Sequence, residues 1–316
     1  MANLGYVQVT RECNQHCLFC SNPPIEERQT YERVCSRIDD LKERGFHGVI
    51  LTGGEPSLCP FLSSAVEYAN GLGLPVRIIS NGQKLADPGF LQDLVDAGLS
   101  HVHVSLHSHR AETQACITQN KDSLANIERA LENIGGMKIN VDINTVICRP
   151  NANHLQETVE WVVDRFPGIG HFVFNNIDPM MNRCEENPGV IPTLGEIELG
   201  LNRAMCFLVA KGKSFRVERV PLCYMAEFAE FSTETRKIVK QEERVVHFLD
   251  QCKGTVRQTS FVHGKADVCS ACSLDPVCAG LYSMDEHFSS SELYPVFLNP
   301  DSIAKKVLSP KKSNSA

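Results

Sequence analysis

Residues 4–20 read LGYVQVTRECNQHCLFC, a β-rich run that leads directly into three closely spaced cysteines. Residues 4–10 predict a strand, so Cys13, Cys17 and Cys20 fall on the loop that follows it. In a parallel α/β protein such a loop lies at the functional end of the sheet. Three thiolates at this spacing can bind one face of a cubane iron–sulfur cluster and leave one iron without a protein ligand. Structural zinc is the alternative, but zinc needs four ligands and this loop offers at most one histidine as the fourth.

Up to about residue 210, short β-rich runs alternate with stretches that have apolar residues at helical spacing. The predicted strands cover residues 4–10, 48–52, 75–79, 101–104, 138–146 and 170–175. The predicted helices cover residues 30–45, 60–71, 90–97, 123–134, 155–166 and 193–211. Alternation of this kind implies a parallel sheet with crossover helices. Periodicity alone leaves open whether the six units form an open doubly wound sheet or a partial barrel.

The composition and charge of the chain argue against several classes of function. The 316 residues carry a formal net charge of -7, and nothing in this composition suggests a surface that neutralises the many phosphates of a nucleic acid. The N-terminal residues lack the pattern of a signal peptide, and no run reaches the length of a membrane helix. We therefore expect a cytoplasmic protein with no membrane or nucleic acid partner. In such a protein, 14 cysteines indicate metal or redox chemistry in preference to disulfides.

A second cysteine group follows a further short strand predicted at residues 214–220. Cys269, Cys272 and Cys278 are closely spaced, and Cys223 or Cys252 could complete a set of four thiolates. Residues 223–280 have weak periodicity, which predicts a small loop-rich unit that a metal holds together. A zinc ribbon is again the alternative, because zinc and iron–sulfur centres share thiolate ligands. Residues 302–316 contain many lysines and serines and are expected to be disordered.

The order Cys-x3-Cys-x2-Cys, with Phe19 just before the last cysteine, resembles the signature of the radical SAM superfamily. Further features occur at successive strand ends in the order that the superfamily shows. Gly53-Gly54-Glu55 is similar to its Gly-Gly-Glu motif, and the segment around Asn144 is similar to one that helps to hold S-adenosylmethionine (SAM). Where related enzymes commonly have Ser-x-Asp, this chain has Ser105-Leu106-His107, so His107 departs from the pattern.

The resemblance implies an α/β fold, a partial (β/α)6 TIM-type barrel with a small loop-rich C-terminal Fe–S domain. The expected boundaries are 1–212 for the barrel, 213–285 for the auxiliary-cluster domain and 286–316 for a C-terminal extension. It also implies that Cys13, Cys17 and Cys20 hold a SAM-binding [4Fe–4S] cluster. The implied SAM contacts are Phe19, Gly53, Gly54, Glu55, Ser80, Asn81, Ser105 and Asn144. His101 and His103 alternate on one face of a strand and are interpreted as interior histidines without a metal.

The second cysteine group resembles the C-terminal auxiliary-cluster modules called SPASM and twitch. The implied ligands of an auxiliary [4Fe–4S] cluster are Cys269, Cys272, Cys278 and, as the fourth, Cys223, with Cys252 in reserve. A full SPASM module would have another cysteine at position 282, where this chain has Tyr282, so one auxiliary cluster is expected.

The implied activity is that of a radical SAM oxidoreductase. A reduced cluster cleaves SAM to a 5′-deoxyadenosyl radical, which abstracts a substrate hydrogen. The favoured substrate is a peptide or protein. The alternatives are a small molecule in cofactor biosynthesis and, in another class, a non-catalytic zinc or Fe–S protein. Expected partners are an electron donor such as flavodoxin or ferredoxin and a separate peptide-recognition protein.

Overall fold

The computed structural model of the protein describes residues 4–180, 183–250 and 253–309. In chain order the strands are β1 Leu4–Thr10, β2 Gly48–Gly53, β3 Val76–Ser80, β4 Leu99–Ser105, β5 Asn140–Ile147, β6 His171–Asn176, β7 Ser214–Glu218, β8 Arg244–His247 and β9 Thr255–Gln258. The helices are α1 Tyr31–Glu43, α2 Leu62–Gly71, α3 Pro88–Asp96, α4 Ala111–Thr118, α5 Ser123–Gly135, α6 Leu155–Arg165, α7 Arg183–Glu186, α8 Leu194–Ala210, α9 Thr233–Lys240 and α10 Pro300–Leu308. Every strand and helix predicted up to residue 211 is present, with small shifts at the ends.

The strands form one sheet in the order β7-β6-β5-β4-β3-β2-β1-β8-β9. All neighbouring strands are parallel except β8 and β9, which form an antiparallel hairpin. Side chains alternate along each strand, so one set packs under the helices and the other faces the interior of the curved sheet. Val7, Val49 and Val102 belong to the helix-facing set and are fully buried. The interior set mixes polar side chains such as His103 and Asn144 with aliphatic ones such as Ile50 and Val173.

Capping explains where several helices begin. Thr193 and Glu196 form a reciprocal capping box at the start of α8, with Glu196 N to Thr193 Oγ1 at 3.2 Å and Thr193 N to Glu196 Oε2 at 2.7 Å. Asp87 accepts a hydrogen bond from Gly89 N at the start of α3, where Pro88 occupies the first turn. These local signals are visible in sequence, which is why the helical stretches were predictable.

The region after residue 223 is more ordered than its weak periodicity predicted. It contains α9 and the hairpin of β8 and β9, and β8 pairs with β1 of the main sheet through Tyr6 and Val7. β8 has only four residues and is stabilised by an ion pair between Arg244 and Glu218 of β7. Strands this short depend on tertiary pairing, so they leave little pattern in the sequence. The division of the chain at residues 212/213 stays a prediction, since β7 to β9 extend the same sheet.

The expectation of a disordered tail from residue 302 is wrong for residues 302–308, which belong to α10. Asn299 caps this helix and Pro300 occupies its first turn, while Ile303 and Val307 are buried one turn apart. Because lysines lie on the exposed side of this helix, the composition of the segment gave no indication of the buried apolar pair. Residues 310–316 and Cys252 lie outside the described residues.

In the part of the chain that the structure describes, no helix has both the length and the apolar character needed to cross a membrane.

Candidate active site

The loop after β1 carries the first three cysteines at the carboxyl end of the parallel sheet. Cys13, Cys17 and Cys20 are free thiols with partly exposed side chains. The loop pairs with the end of α4, a helix that the sequence analysis missed, through His16 N to Thr118 O and Leu18 N to Ile117 O, both at 3.0 Å. Burial raises the pKa of Cys17, and the neighbouring thiols of Cys20 and Cys13 raise it further. The three thiols therefore lie on one loop at the carboxyl end of the sheet, where they could share one metal centre.

Polar side chains from other elements hold this loop in place. Asn81, which follows β3, donates to Asn14 Oδ1 at 2.7 Å and lies 3.8 Å from Cys13 Sγ. Gln15 is buried and donates to Ser123 Oγ at 3.0 Å. Arg183 of α7, also buried, donates to the carbonyl oxygen of Cys17 at 3.4 Å. Its positive charge favours the thiolate forms of Cys13 and Cys17. Gln15 and Arg183 were not predicted, because neither belongs to a recognisable motif.

The glycines of the Gly-Gly-Glu turn allow close packing against the cysteine loop. Gly53 has φ +140°, and a Cβ atom there would lie 1.9 Å from Thr10 O. A Cβ atom on Gly54 would lie 2.3 Å from Glu12 O. Gly54 N donates to Thr10 O at 2.8 Å, and Glu55 N donates to Glu12 O at 2.7 Å. Any larger residue would separate the two loops.

The carboxylate of Glu55 is fully buried and already has three protein donors. Oε1 accepts from Ser57 N at 3.0 Å and from Ser80 Oγ at 2.8 Å, and Oε2 accepts from Asn81 N at 2.7 Å. Burial raises its pKa above the usual value despite these hydrogen bonds. The carboxylate thus joins the ends of β2 and β3 and orients Asn81.

The unexpected His107 packs against the cysteine loop. Its ring meets the ring of Phe19 edge to face, with centroids 4.9 Å apart, and its Nδ1 accepts from Val146 N at 3.2 Å. Burial lowers the pKa of His107 to about 4, so the ring is neutral near pH 7. Ser105, the last residue of β4, is the register partner of Asn144 in the middle of β5. Asn144 Oδ1 accepts from Asn175 Nδ2 at 2.6 Å.

A cavity of about 610 Å³ fills the interior of the curved sheet next to the cysteine loop. Ser21 and Asn22, which follow Cys20 directly, line it together with Asn144. Among the predicted SAM contacts Asn144 is the one that lines this cavity, whereas Glu55, Ser80 and Asn81 are buried beside it. The charged lining residues were not predicted from sequence: Asp178, Glu218, Arg219, Arg244 and Lys253.

The interior histidines His101 and His103 contact Asp142 of β5. The distances to Asp142 Oδ2 are 2.8 Å from His101 Nε2 and 3.2 Å from His103 Nδ1. Burial alone would raise the pKa of Asp142, but the two histidines outweigh it and hold the pKa below its usual value. Their interior position agrees with the sequence interpretation.

The second cysteine group gathers where β7 ends and the C-terminal loops begin. Burial raises the pKa of Cys223 to about 11, and the thiols of Cys278 and Cys269 contribute to this shift. Cys272 in turn raises the pKa of Cys278. Backbone N–H groups point at two of the sulfurs, with Gly280 N to Cys278 Sγ and Val296 N to Cys272 Sγ both at 3.3 Å. Such donors are typical of sulfurs in iron–sulfur centres.

Neither cysteine group has three sulfurs within 4.8 Å of one another among the described residues. Two sulfurs bound to the same zinc lie within about 4.6 Å, twice the Zn–S bond length. Among the described residues, one group of three potential metal ligands has all its ligand atoms within 4.8 Å of one another. It consists of His101, His103 and Asp142. Neither cysteine group meets this limit, so both are more open than a site for one zinc ion.

The fold and site together are a mostly parallel α/β sheet with three cysteines on one loop at its carboxyl edge, beside a cavity in the interior of the sheet. Residues 7–162 match the sequence profile of the radical SAM superfamily. The chain belongs to the radical SAM superfamily, whose members use SAM and a [4Fe–4S] cluster. The predicted fold class is confirmed by solved structures of the same architecture.

Curated relatives match about half of this chain, and the chain spans about half of their length. An S-adenosylmethionine-dependent nucleotide dehydratase of Flammeovirga pacifica is 26% identical over 153 residues, which are 45% of this chain and 52% of the relative. A PqqA peptide cyclase of Streptomyces rochei is 28% identical over 162 residues, which are 50% of this chain and 44% of the relative.

Solved structures cover more of the chain at lower identity. The structure of anSMEcpe with bound AdoMet and Cp18Cys peptide has a TM-score of 0.64 at 16% identity and covers 96% of this chain and 95% of that one. The structure of Streptococcus suis SuiB bound to the precursor peptide SuiA has a TM-score of 0.60 at 12% identity. The match covers 79% of this chain and 58% of the SuiB chain. These similarities concern the fold.

Proposed function

We propose that the protein is a SAM-cleaving enzyme that abstracts a hydrogen from a peptide or protein substrate. The observation that carries this proposal is the position of Cys13, Cys17 and Cys20, which lie on one loop beside the sheet cavity. When bound, the cluster and SAM supply an electron and a 5′-deoxyadenosyl radical that abstracts the substrate hydrogen.

The residues of the chain hold that centre in position. Asn81 and Arg183 fix the cysteine loop through Asn14 and the carbonyl oxygen of Cys17. Gly53 and Gly54 let the second loop pack directly on it. We propose that SAM lies between these loops and Asn144, with Phe19, Ser80 and Ser105 around it. Because the carboxylate of Glu55 accepts hydrogen bonds from Ser57, Ser80 and Asn81, we propose that its contribution is to hold the loops that surround SAM.

We propose that Cys223, Cys269, Cys272 and Cys278 bind an auxiliary [4Fe–4S] cluster. The mutual influence of these thiols, the N–H donors to their sulfurs and their open spacing support a cluster of the SPASM or twitch type. Cys252 stays the reserve ligand.

A peptide substrate is supported by the extent of the similarity in fold to anSMEcpe, which covers 96% of this chain and has been solved with a bound peptide. The nucleotide dehydratase among the curated relatives favours a small-molecule substrate as the second candidate. We propose a flavodoxin or ferredoxin as the electron donor and, for a peptide substrate, a separate recognition protein as a further partner. Precursor-peptide genes beside this gene would favour the first candidate, and cofactor-pathway genes the second.

The test is anaerobic reconstitution followed by reduction in the presence of SAM. We expect about eight iron atoms per chain and formation of 5′-deoxyadenosine. Replacing Cys13, Cys17 and Cys20 with Ala should abolish 5′-deoxyadenosine formation and leave about four iron atoms. Persistent 5′-deoxyadenosine in that variant, or zinc in place of iron in the native protein, would refute the proposal.

A further inference from the structure

One wall of the cavity is charged, and it forms where β7 and β8 approach each other. β7 is an edge strand and β8 lies on the far side of β1, so the two are not neighbours in the sheet. Glu218 at the end of β7 forms an ion pair with Arg244 of β8 across this gap. Arg244 holds the pKa of Glu218 below its usual value although burial alone would raise it. The charge of this carboxylate is therefore matched inside the protein.

Two further cations on this wall have no such match. Arg219 and Lys253 both line the cavity. In the part of the chain that the structure describes, neither forms an ion pair with a carboxylate, and their charged groups instead lie over the rings of Tyr282 and Phe248. Asp178, the other acidic residue of the wall, accepts hydrogen bonds from Tyr282 Oη at 3.1 Å and Met180 N at 3.2 Å. The wall thus carries three cations, Arg219, Arg244 and Lys253, against the two carboxylates of Asp178 and Glu218.

The backbone of Arg219 is fixed in an unusual conformation. Its φ of +59° lies in the left-handed region, which residues other than glycine seldom adopt. Arg219 N donates to Glu234 Oε1 at 3.0 Å, Arg219 Nε donates to Asn176 O at 3.1 Å, and Asn176 Nδ2 donates to Arg219 O at 3.3 Å. Asn176 is fully buried and Glu234 nearly so. A surface arginine needs no such support, and strained residues held by their surroundings cluster at ligand sites.

The side chain of Arg219 keeps most of its donors for a ligand. Its Nε is occupied by Asn176, while no hydrogen bond to a described residue uses its two terminal nitrogens. A guanidinium with two free terminal nitrogens matches the two oxygens of a carboxylate or phosphate. The ring of Tyr282, 5.7 Å from the guanidinium carbon, limits its movement.

We propose that Arg219, assisted by Lys253, binds an anionic group of the substrate, a carboxylate or a phosphate. This inference rests on the proposed function, because it takes the cavity to be the substrate site. The anion would be anchored at the wall formed by β7 and β8, and the rest of the substrate would extend toward the cysteine loop. A peptide would offer an acidic side chain or its C-terminus, and a nucleotide would offer its phosphates.

The experiment measures anion binding to the reconstituted, SAM-loaded protein by isothermal titration calorimetry. The probes are pyrophosphate and N-acetylglutamate amide, with N-acetylglutamine amide as the neutral analogue. The variants are Arg219→Gln and Lys253→Gln. Glutamine suits position 219 because Gln119 and Gln241 already adopt φ +54° in this chain. Lys211→Gln, at the end of α8 and outside the cavity, is the matched control.

We expect at least one charged probe to bind and the neutral analogue not to bind. Arg219→Gln should lower the affinity for that probe about tenfold or more, and Lys253→Gln should lower it less. Lys211→Gln should leave the affinity unchanged. The probe that binds identifies the source of the anion. Equal affinity in wild type and Arg219→Gln, or no binding of either anion, would overturn the inference.

Two further readouts distinguish a substrate-anion site from a role of Arg219 in binding SAM. If Arg219→Gln weakens the binding of SAM and not that of the probes, the arginine binds the SAM carboxylate and the inference is wrong. Formation of 5′-deoxyadenosine by the wild type tests the proposed function independently. Arg219-dependent anion binding without SAM cleavage would refute the proposed function and leave the anion site standing.

Discussion

The two cysteine groups are held by different parts of the fold. The first lies on a loop that is fixed from several secondary-structure elements, through Asn81 after β3, Ser123 of α5 and Arg183 of α7. The second is held mainly by irregular segments, through contacts of Cys272 with Val296 and of Cys223 with Tyr294. The barrel thus holds the first group in place through several of its elements, whereas the second group lies among irregular segments, and the metal centre proposed there would contribute to their order.

The largest effect should come from the ligands of the second group. Cys223→Ala should lower the iron content from about eight to about four atoms per chain, because the auxiliary cluster loses its fourth thiolate. Iron analysis after anaerobic reconstitution measures this. Cys206→Ala is the control, because Cys206 is exposed on α8. This variant should keep about eight iron atoms per chain. If Cys252→Ala loses the iron and Cys223→Ala does not, the choice of ligand is wrong.

A smaller effect is expected from the support of the first group. Glu55→Gln places an amide donor against one of the N–H or O–H groups that the carboxylate now accepts from. We expect the free energy of unfolding in urea to fall by about 1–3 kcal/mol. Glu112→Gln, at an exposed position of α4, should change it by less than about 0.5 kcal/mol. Equal stability of the two variants would show that Glu55 does not tie the strand ends together.

The smallest effect concerns the C-terminal segment. Tyr294 Oη donates to the carbonyl oxygen of Cys223 at 2.5 Å, and Tyr294→Phe removes this hydrogen bond. We expect a loss of about 1 kcal/mol in stability and faster release of half the iron to a chelator. Tyr68→Phe is the matched control, because it removes the 2.7 Å bond to Asp39 away from both cysteine groups. If both variants release iron at the same rate, the segment does not hold the auxiliary site.

The barrel was predictable because its signals are local and repeated. Strands and helices up to residue 211 follow from periodicity, and caps such as Thr193 with Glu196 mark helix starts. The short strands β8 and β9 and the helices α4, α7, α9 and α10 were missed. β8 has four residues and is stabilised by pairing with β1 and by Glu218, which are distant in sequence. A local pattern cannot report such contacts.

The sequence by itself determined the α/β alternation and the position of Cys13, Cys17 and Cys20 after the first strand, because strand periodicity and cysteine spacing are properties of neighbouring residues. Only the tertiary structure decided what surrounds them. Glu55 was predicted as a SAM contact, and folding places its carboxylate among donors from two strand ends. Arg219 and Lys253 belong to no motif, and they share a wall because β7 and β8 meet across the open sheet.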